Sequence, residues 1–189
     1  MTVTEHRRAV RRGCFRVGLY FQGLTHDLSK YSPREFFVGA KYYQGYRSPN
    51  NAEREAKGYS EAWMHHKGRN RHHYEYWTDY KAGQGHNGEE HIIEPKRMPT
   101  RYLVEMYVDR VCAAEVYNKG HYTSDIPLKY YQKGDYTNLI EEHTRAELEK
   151  LLKMLASNGS EVTESYIRNV ILKHYPGAKL AERLHERRK

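Results

Sequence analysis

The feature that most constrains the fold is a helical period that recurs along most of the chain. Apolar residues return every three or four positions in one segment after another, and no segment of any length alternates between apolar and polar residues. Serine, threonine, proline and glycine stand where such segments would begin and end. The sequence therefore predicts an all-α protein built as a helical bundle.

The first predicted helix runs from about residue 3 to residue 24. Thr2 and Glu5 have the spacing of a capping box at its start. Its apolar stripe consists of Val10, Cys14, Val17, Phe21 and Leu24. One step of four residues back along this stripe reaches His6, so we expect the His6 side chain to face the core.

A second predicted helix covers about residues 33–44. Ser32 is its expected N-cap, a proline follows at the first helical position, and Glu35 completes a capping box. A short helix of residues 52–57 comes next and ends at Gly58.

Two pairs of histidines, at residues 65–66 and 72–73, stand in the segments after Gly58. Ser60 predicts a helix through EAWMHHK, and Asn70 predicts the cap of another helix that begins RHHYEYW. The two histidine pairs would then flank one tight turn.

Residues 83–99 are rich in glycine and proline and have no helical period, so they are predicted to be a loop and a candidate lid. A helix of about residues 99–118 follows with the clearest period in the chain, and its inward stripe includes Asp109. Two more amphipathic helices and a basic tail from Lys179 are predicted after it.

One domain is predicted over residues 1–189, because the composition does not change sharply along the chain. It would consist of a core of about residues 3–118, which carries the candidate site, and a C-terminal helical extension of about residues 137–189. Cys14 and Cys112 lie far apart in helical segments and are expected to be buried, reduced thiols.

The apolar runs are short, and charges interrupt the N-terminal segment. We therefore expect neither a membrane-spanning helix nor a signal peptide, and a cytoplasmic location is the default expectation. The formal net charge of +8 favours anionic partners such as phosphorylated small molecules, nucleic acid or an acidic protein, although it also serves solubility.

The adjacent pair His26-Asp27 is the first candidate for chemistry. Adjacent side chains at the end of a helix leave its axis about 100° apart and can converge on an ion beside that end. By itself the pair is weak evidence, because it arises by chance and an N-cap aspartate beside a surface histidine explains it better. The inward-facing His6 and Asp109 favour a site, because a buried carboxylate requires a partner or a metal ion. An ion pair with an arginine of another helix is the alternative for Asp109.

The four residues from three helices form a mixed nitrogen and oxygen donor set. Such a set suits one or two divalent transition-metal ions, namely Fe, Mn, Zn or Ni, rather than calcium. Histidine is the commonest metal-binding side chain, and the chain has 12 histidines, four of which occur as adjacent pairs. The sequence therefore predicts a metal site.

HDLSK at residues 26–30 and YVDRVCAA around Asp109 carry a resemblance to a known family. Together with His6, which precedes them in the chain, these segments resemble the HD-domain superfamily of metal-dependent phosphohydrolases. The motif of that superfamily is a histidine, a His-Asp pair and a distant aspartate, all carried on helices. The longer pattern HDLSKYSPREFFVGAKYY…AWMHHKGRNRHHYEYW…MPTRYLVEMYVDR also resembles a family of uncharacterised bacterial and phage proteins known only as a domain of unknown function. The resemblance covers about residues 5–118.

The resemblance implies an HD-domain-like helical bundle with extra C-terminal helices and up to two metal ions. The implied ligands of the first ion are His6, His26, Asp27 and Asp109. Asp27 would bridge to a second ion, whose further ligands would be histidines between the dipeptide and the last aspartate. The candidates are His65, His66, His72 and His73. His66 and one histidine of the 72–73 pair are favoured, and the others would hydrogen-bond to ligands or contact the substrate.

The implied reaction is hydrolysis of a nucleotide or another small phosphate ester by a metal-activated water. The candidate catalytic residues are Asp27, Lys30 and Glu105. Glu105 would act as an acid/base group or orient a ligand. The candidate substrate-binding residues are Lys30, Arg69, Asn70 and Arg71. For the three cationic side chains, simple exposure to solvent is the alternative.

Two other functions remain open. Some relatives of the HD superfamily are di-iron oxygenases that use the same helices with additional histidine ligands, and the abundance of histidine favours this alternative. The third hypothesis is a basic nucleic-acid-binding or adaptor module with a structural metal ion. Its charge would come from the arginines between residues 7 and 12 and from the tail KLAERLHERRK, but the sequence contains no recognised nucleic-acid motif.

Overall fold

The structure, a computed structural model, describes residues 2–45, 47–82 and 92–187. Within these ranges the chain is mainly helical, as predicted, and its only sheet consists of two three-residue strands. The α-helices are α1 (Val3–Arg16), α2 (Tyr20–Thr25), α3 (Pro33–Lys41), α4 (Pro49–Lys57), α5 (Glu61–Lys67), α6 (Thr100–Tyr117), α7 (Ile126–Tyr131), α8 (Glu142–Tyr166) and α9 (Pro176–Glu186). Leu28–Tyr31 and Tyr74–Tyr76 are 3-10 turns, and Ile167–Ile171 is a π-helical turn.

Helix α6 lies at the centre of the fold and packs against α1, α7 and α8. Apolar side chains from α1, α6 and α8 belong to one buried cluster, which includes Val10, Val104, Leu148, Leu151 and Leu152. Each buried leucine or valine contributes about 1.5–3 kcal/mol relative to an exposed position. The same packing brings His6, near the start of α1, close to Asp109, in the middle of α6.

The prediction of one continuous helix over residues 3–24 is wrong. Helix α1 ends at Arg16, and α2 begins only at Tyr20. Between them Gly18 has a φ of +85°, and a Cβ atom there would lie 2.4 Å from the backbone of Gly177. The close approach of α9 therefore requires glycine at this position and turns the chain.

The turn at Gly18 also changes the faces of the residues that follow it. Val17 is buried as expected, whereas Phe21 and Leu24 are 73% and 55% exposed, so their assignment to the core is wrong. The apolar stripe was extrapolated through a helix that is interrupted. Because α2 folds back along α1, the Nε of Arg7 donates a 2.8 Å hydrogen bond to the carbonyl of His26.

The predicted helix that begins at Asn70 is also wrong. After a 3-10 turn, the chain forms strand β1 (Thr78–Tyr80), which pairs antiparallel with β2 (Ile93–Pro95). The indole of Trp77 donates to the carbonyl of Arg71, which tightens the turn before β1. Strand β2 occupies part of the predicted loop, whereas residues 83–91 of the candidate lid lie outside the described residues.

The C-terminal helices differ in detail from the prediction. Helix α8 is kinked at Gly159, which has a φ of 76° and a ψ of 179°. Residues 179–186 of the predicted basic tail are instead part of α9, whose Ala178 and Ala181 are buried. Helix α7 was not predicted. Helices α8 and α9 pack against α6 and α1, respectively.

Two other expectations concern the cysteines and the membrane. Cys14 and Cys112 are both buried and free, as predicted. Within the described ranges, no helix combines the length and the apolar character that crossing a bilayer requires.

Candidate metal centre

Five parts of the chain meet around a buried group of histidines and carboxylates. Helix α1 brings His6, the end of α2 brings His26 and Asp27, α5 brings His66, and α6 brings Glu105 and Asp109. The turn after α5 adds His72 and His73. The buried members are His6, His26, Asp27, His66, His72 and Glu105. Such a concentration of polar groups in an interior is costly unless each group has a partner.

Asp27 lies at the centre of this group because of an uncommon backbone conformation. Its φ is 54°, and it is the only non-glycine residue with a positive φ in the described part of the chain. This left-handed conformation costs roughly 1–2 kcal/mol for a residue with a Cβ atom. The turn directs the Asp27 side chain into the interior between the histidines instead of capping a helix.

The two carboxylate oxygens of Asp27 face different histidines. Oδ2 lies 3.5 Å from Nε2 of His26 and 3.9 Å from Nε2 of His6. Oδ1 lies 3.2 Å from Nε2 of His66 and 3.4 Å from Nε2 of His72. A carboxylate with one oxygen toward each of two donor groups has the arrangement of a bridging ligand.

The first donor group consists of His6, His26 and Asp109, and each of these residues offers one atom within 4.8 Å of the others. Oδ1 of Asp109 lies 2.8 Å from Nε2 of His6 and 3.4 Å from Nε2 of His26. These are the residues that the sequence nominated for the first ion. Oδ2 of Asp27 completes a set of two imidazoles and two carboxylates.

The second donor group consists of Asp27, His66, His72 and His73, with the same spacing. His65 is not part of this group, although its Nδ1, like that of His66, is hydrogen-bonded to Glu35. Of the four histidines that were candidate ligands of the second ion, the structure brings His66, His72 and His73 close to Asp27.

Two buried glutamates orient the histidine rings. One oxygen of Glu105 accepts hydrogen bonds from Nδ1 of His26 at 3.0 Å and from Nδ1 of His72 at 3.2 Å. Glu35 accepts from Nδ1 of His66 at 2.8 Å. A carboxylate on Nδ1 keeps the proton on that nitrogen and leaves Nε2 free to bind a metal ion. In all three rings the free Nε2 faces Asp27.

The roles of Glu35 and Asn70 differ from those predicted. Glu35 does not close a capping box at the start of α3, and the Ser32 side chain makes no cap hydrogen bond. Asn70, nominated as a helix cap and a substrate-binding residue, is buried and donates to the carbonyl of His66 and to Oγ of Ser29. Both residues therefore hold His66 in place. The sequence signal of Glu35 is the same as that of a capping box, so the pattern alone could not separate the two roles.

Several polar atoms at the centre are buried without a hydrogen-bond partner among the described residues. They include Nε2 of His26, Nε2 of His72 and Oδ1 of Asp27. An unsatisfied buried polar atom costs about 1–3 kcal/mol, so three of them around the Asp27 carboxylate indicate missing partners. Nitrogen and carboxylate oxygen donors fit a divalent transition-metal ion. The residues present therefore fit the predicted metal.

The electrostatics of the centre also favour a cation. Burial alone would raise the pKa of Asp27, but Lys30 and His26 hold it well below its usual range. Burial alone would lower the pKa of His26, yet Asp27 and Asp109 raise it to about 10. The buried carboxylates thus attract positive charge, and a metal ion would take the place of the proton on His26.

The candidate substrate-binding cations lie in different environments. Nζ of Lys30 forms a 2.7 Å ion pair with Oδ2 of Asp27 and is 29% exposed. The guanidinium of Arg71 lies over the rings of Tyr76 and Tyr102, and Arg69 is exposed. Among these three cations, only Lys30 has a described side-chain contact with the centre.

The fold and the centre define an all-α protein with a buried histidine and carboxylate cluster that could hold metal ions. Comparison of the chain with protein families adds that residues 1–154 match a family described as a family of unknown function, DUF5662. The chain belongs to this family, as the resemblance to an uncharacterised family predicted. No curated protein and no solved structure matches it.

Proposed function

We propose that the protein is a metal-dependent phosphohydrolase of the HD type, with two divalent ions on either side of Asp27. The observation that carries this proposal is the division of the Asp27 carboxylate between two donor groups. Two-metal centres with a bridging carboxylate are suited to phosphate-ester hydrolysis, because two ions stabilise the attacking and the leaving oxygens together.

The exposed side of the centre indicates where a substrate would enter. The side chain of Asp109 is 21% exposed and that of Lys30 is 29% exposed, whereas His26 and Glu105 are enclosed. A phosphoryl group that approaches from this side meets the ammonium group of Lys30 next to the bridging carboxylate. When bound, the ions would lower the pKa of a water molecule and neutralise the phosphoryl oxygens.

The remaining residues of the centre have positioning roles in this proposal. Glu105 uses one oxygen for hydrogen bonds to both His26 and His72, which favours ring orientation over an acid/base role. Lys30 would leave Asp27 Oδ2 to the first ion and bind a phosphoryl oxygen instead. The net charge of +8 agrees with an anionic substrate, namely a nucleotide or another small phosphate ester.

The second candidate is a di-iron oxygenase of the HD type. Two observations favour it: the donor set is rich in histidine, and the described contacts of the Arg71 guanidinium are with tyrosines and not with the centre. The two candidates use the same ligands and differ in metal and substrate. Iron near two per chain, with a mixed-valent paramagnetic signal and no phosphate release, would favour the oxygenase.

The test is metal analysis combined with hydrolysis of nucleotides and of bis(p-nitrophenyl) phosphate by protein loaded with Mn, Fe, Ni or Zn. We expect the wild type to hold up to two ions and to release product, and Asp27→Asn to lose most of both. His121→Ala is the matched control, because His121 is an exposed histidine outside the centre. Equal metal contents in the wild type and Asp27→Asn would refute the centre. No turnover with any of the four metals would refute the hydrolase.

A further inference from the structure

A cavity lies beside the C-terminal half of α1, away from the metal-centre residue His6. It runs between α1, the start of α2, the end of α8, the π-helical turn and α9. Its volume is about 460 Å³, within the range of roughly 300–1,000 Å³ for pockets that hold small molecules. Most of its wall lies beyond residues 1–154, the part that matches the family.

The cavity combines apolar walls with excess positive charge. Phe15 and Tyr20 form one wall with their rings in edge contact, and Leu184 forms part of the opposite wall. Three arginines line the cavity; Arg16 is paired with Glu164 at 2.7 Å and Arg168 with Glu182, so the excess charge is that of Arg12. An occupant that matches this lining has an apolar body and a negative charge.

Arg168 lines this cavity and carries an unused donor. Its side chain is almost fully buried, its Nε is paired with Glu182, and its Nη1 donates to the carbonyl of Arg16 at 3.1 Å. Its Nη2 is buried and has no partner among the described residues. The arginine stands on the π-helical turn, a feature that occurs frequently at functional sites.

Tyr20 also lines the cavity, and its hydroxyl is a second unused group. It too is buried without a hydrogen-bond partner in the described part of the chain. Two unpaired donors in one pocket cost free energy in the empty protein, and an oxyanion that accepts from both would remove this cost.

We propose that this cavity binds a small amphipathic anion, whose oxyanion group accepts hydrogen bonds from Arg168 and Tyr20 and whose apolar chain packs on Phe15 and Leu184. The oxyanion is a carboxylate or a phosphate monoester, since an arginine donor serves both. This site is separate from the metal centre and does not depend on the proposed hydrolase activity.

The test is calorimetric titration of the full chain with decanoate and decyl phosphate, each below its micellar concentration, and with decanol and inorganic phosphate. We expect one site per chain for at least one of the two amphipathic anions, and much weaker binding of decanol and of phosphate alone. The preferred headgroup distinguishes a carboxylate ligand from a phosphate ligand. No binding of either amphipathic anion would overturn the proposal.

Two variants localise the binding without disturbing the ion pair of Arg168. Tyr20→Phe removes only the unpaired hydroxyl, so it should fold normally and bind at least about tenfold more weakly. Leu184→Glu places a negative charge in the cavity and should abolish binding. Its matched control is Leu180→Glu, on the same helix at a similar exposure of 49% but outside the cavity. Binding that is unchanged in both Tyr20→Phe and Leu184→Glu would refute the site.

Discussion

Replacement of the two orienting glutamates should affect the two metal positions differently. Glu105 holds one histidine of each donor group, His26 at 3.0 Å and His72 at 3.2 Å. Glu35 holds His66, which belongs only to the second group. Glutamine is the appropriate substitution, because alanine would leave buried Nδ1–H groups unpaired and would cost about 1–3 kcal/mol of stability by itself.

The magnitude follows from the number of rings that lose their charged partner. Loss of the group that orients one metal-bound histidine lowers metal affinity about 10- to 100-fold, or ~1.4–2.7 kcal/mol. Glu105→Gln should therefore weaken both ions by this factor. Glu35→Gln should weaken only one ion and leave the other at wild-type affinity.

The assay is titration of metal-free protein with Zn²⁺ or Mn²⁺ in a chelator-buffered series, with stoichiometry read by elemental analysis. Glu61→Gln is the control, because Glu61 is an exposed glutamate whose described partner is Lys57. The reasoning is refuted if Glu35→Gln loses both ions equally, or if Glu105→Gln binds both ions as the wild type does.

Three further predictions concern stability. Gly18→Ala should destabilise the protein by more than about 2 kcal/mol in urea unfolding, because Gly18 has a φ of +85° and a Cβ atom would lie 2.4 Å from the Gly177 backbone. Gly39 lies inside α3, and a Cβ atom there would have no neighbour within 4 Å, so Gly39→Ala should stabilise the protein by about 0.5–1 kcal/mol. Equal effects of the two substitutions would contradict the explanation of the break between α1 and α2. Burial alone would raise the pKa of Glu141, but its hydrogen bonds with Thr144 and His143 lower the pKa from 4.5 to about 2. The Glu141 carboxylate, which caps the start of α8, should therefore stabilise the protein above about pH 4.5, and this stabilisation should be lost as the pH falls towards 2. Glu141→Gln should accordingly cost about 1 kcal/mol at pH 7 and almost nothing near pH 2, and a difference that does not change with pH would argue against the cap. Removal of bound metal with a chelator should lower the melting temperature by roughly 10 °C, since a ligand at 1,000 times its Kd stabilises the folded state by about 4 kcal/mol. Equal melting temperatures of the metal-loaded and the chelator-treated protein would argue against the centre.

The all-α class and the positions of most helices were predictable, because the signals that define them are local. Thr2 and Glu5 form the predicted capping box, Ser60 accepts from the Trp63 amide, and Gly58 ends α4 in a left-handed conformation. These interactions join residues three or four positions apart, so the sequence contains both partners. The same local period on α1 correctly predicted that His6 is buried.

The grouping of the donor residues was only partly predictable. His6, the His26-Asp27 pair and Asp109 were nominated from the sequence, and the structure brings them together. The choice between His65 and His66 was not available, because adjacent residues on a helix differ by about 100° and either could face the centre. The packing of α5 on α3 decides it, since Glu35 meets both rings there and directs only His66 to Asp27.

The sequence by itself determined the helical class, the buried face of α1 and the residue types that can bind a metal. Only the tertiary structure decided where α1 stops, because that depends on the backbone of Gly177 against Gly18, far apart in the chain. It also decided that Asp27 turns inward and that Glu35 serves a histidine and not its own helix. Local patterns record contacts within one turn of helix, whereas these features arise from contacts between residues distant in the sequence.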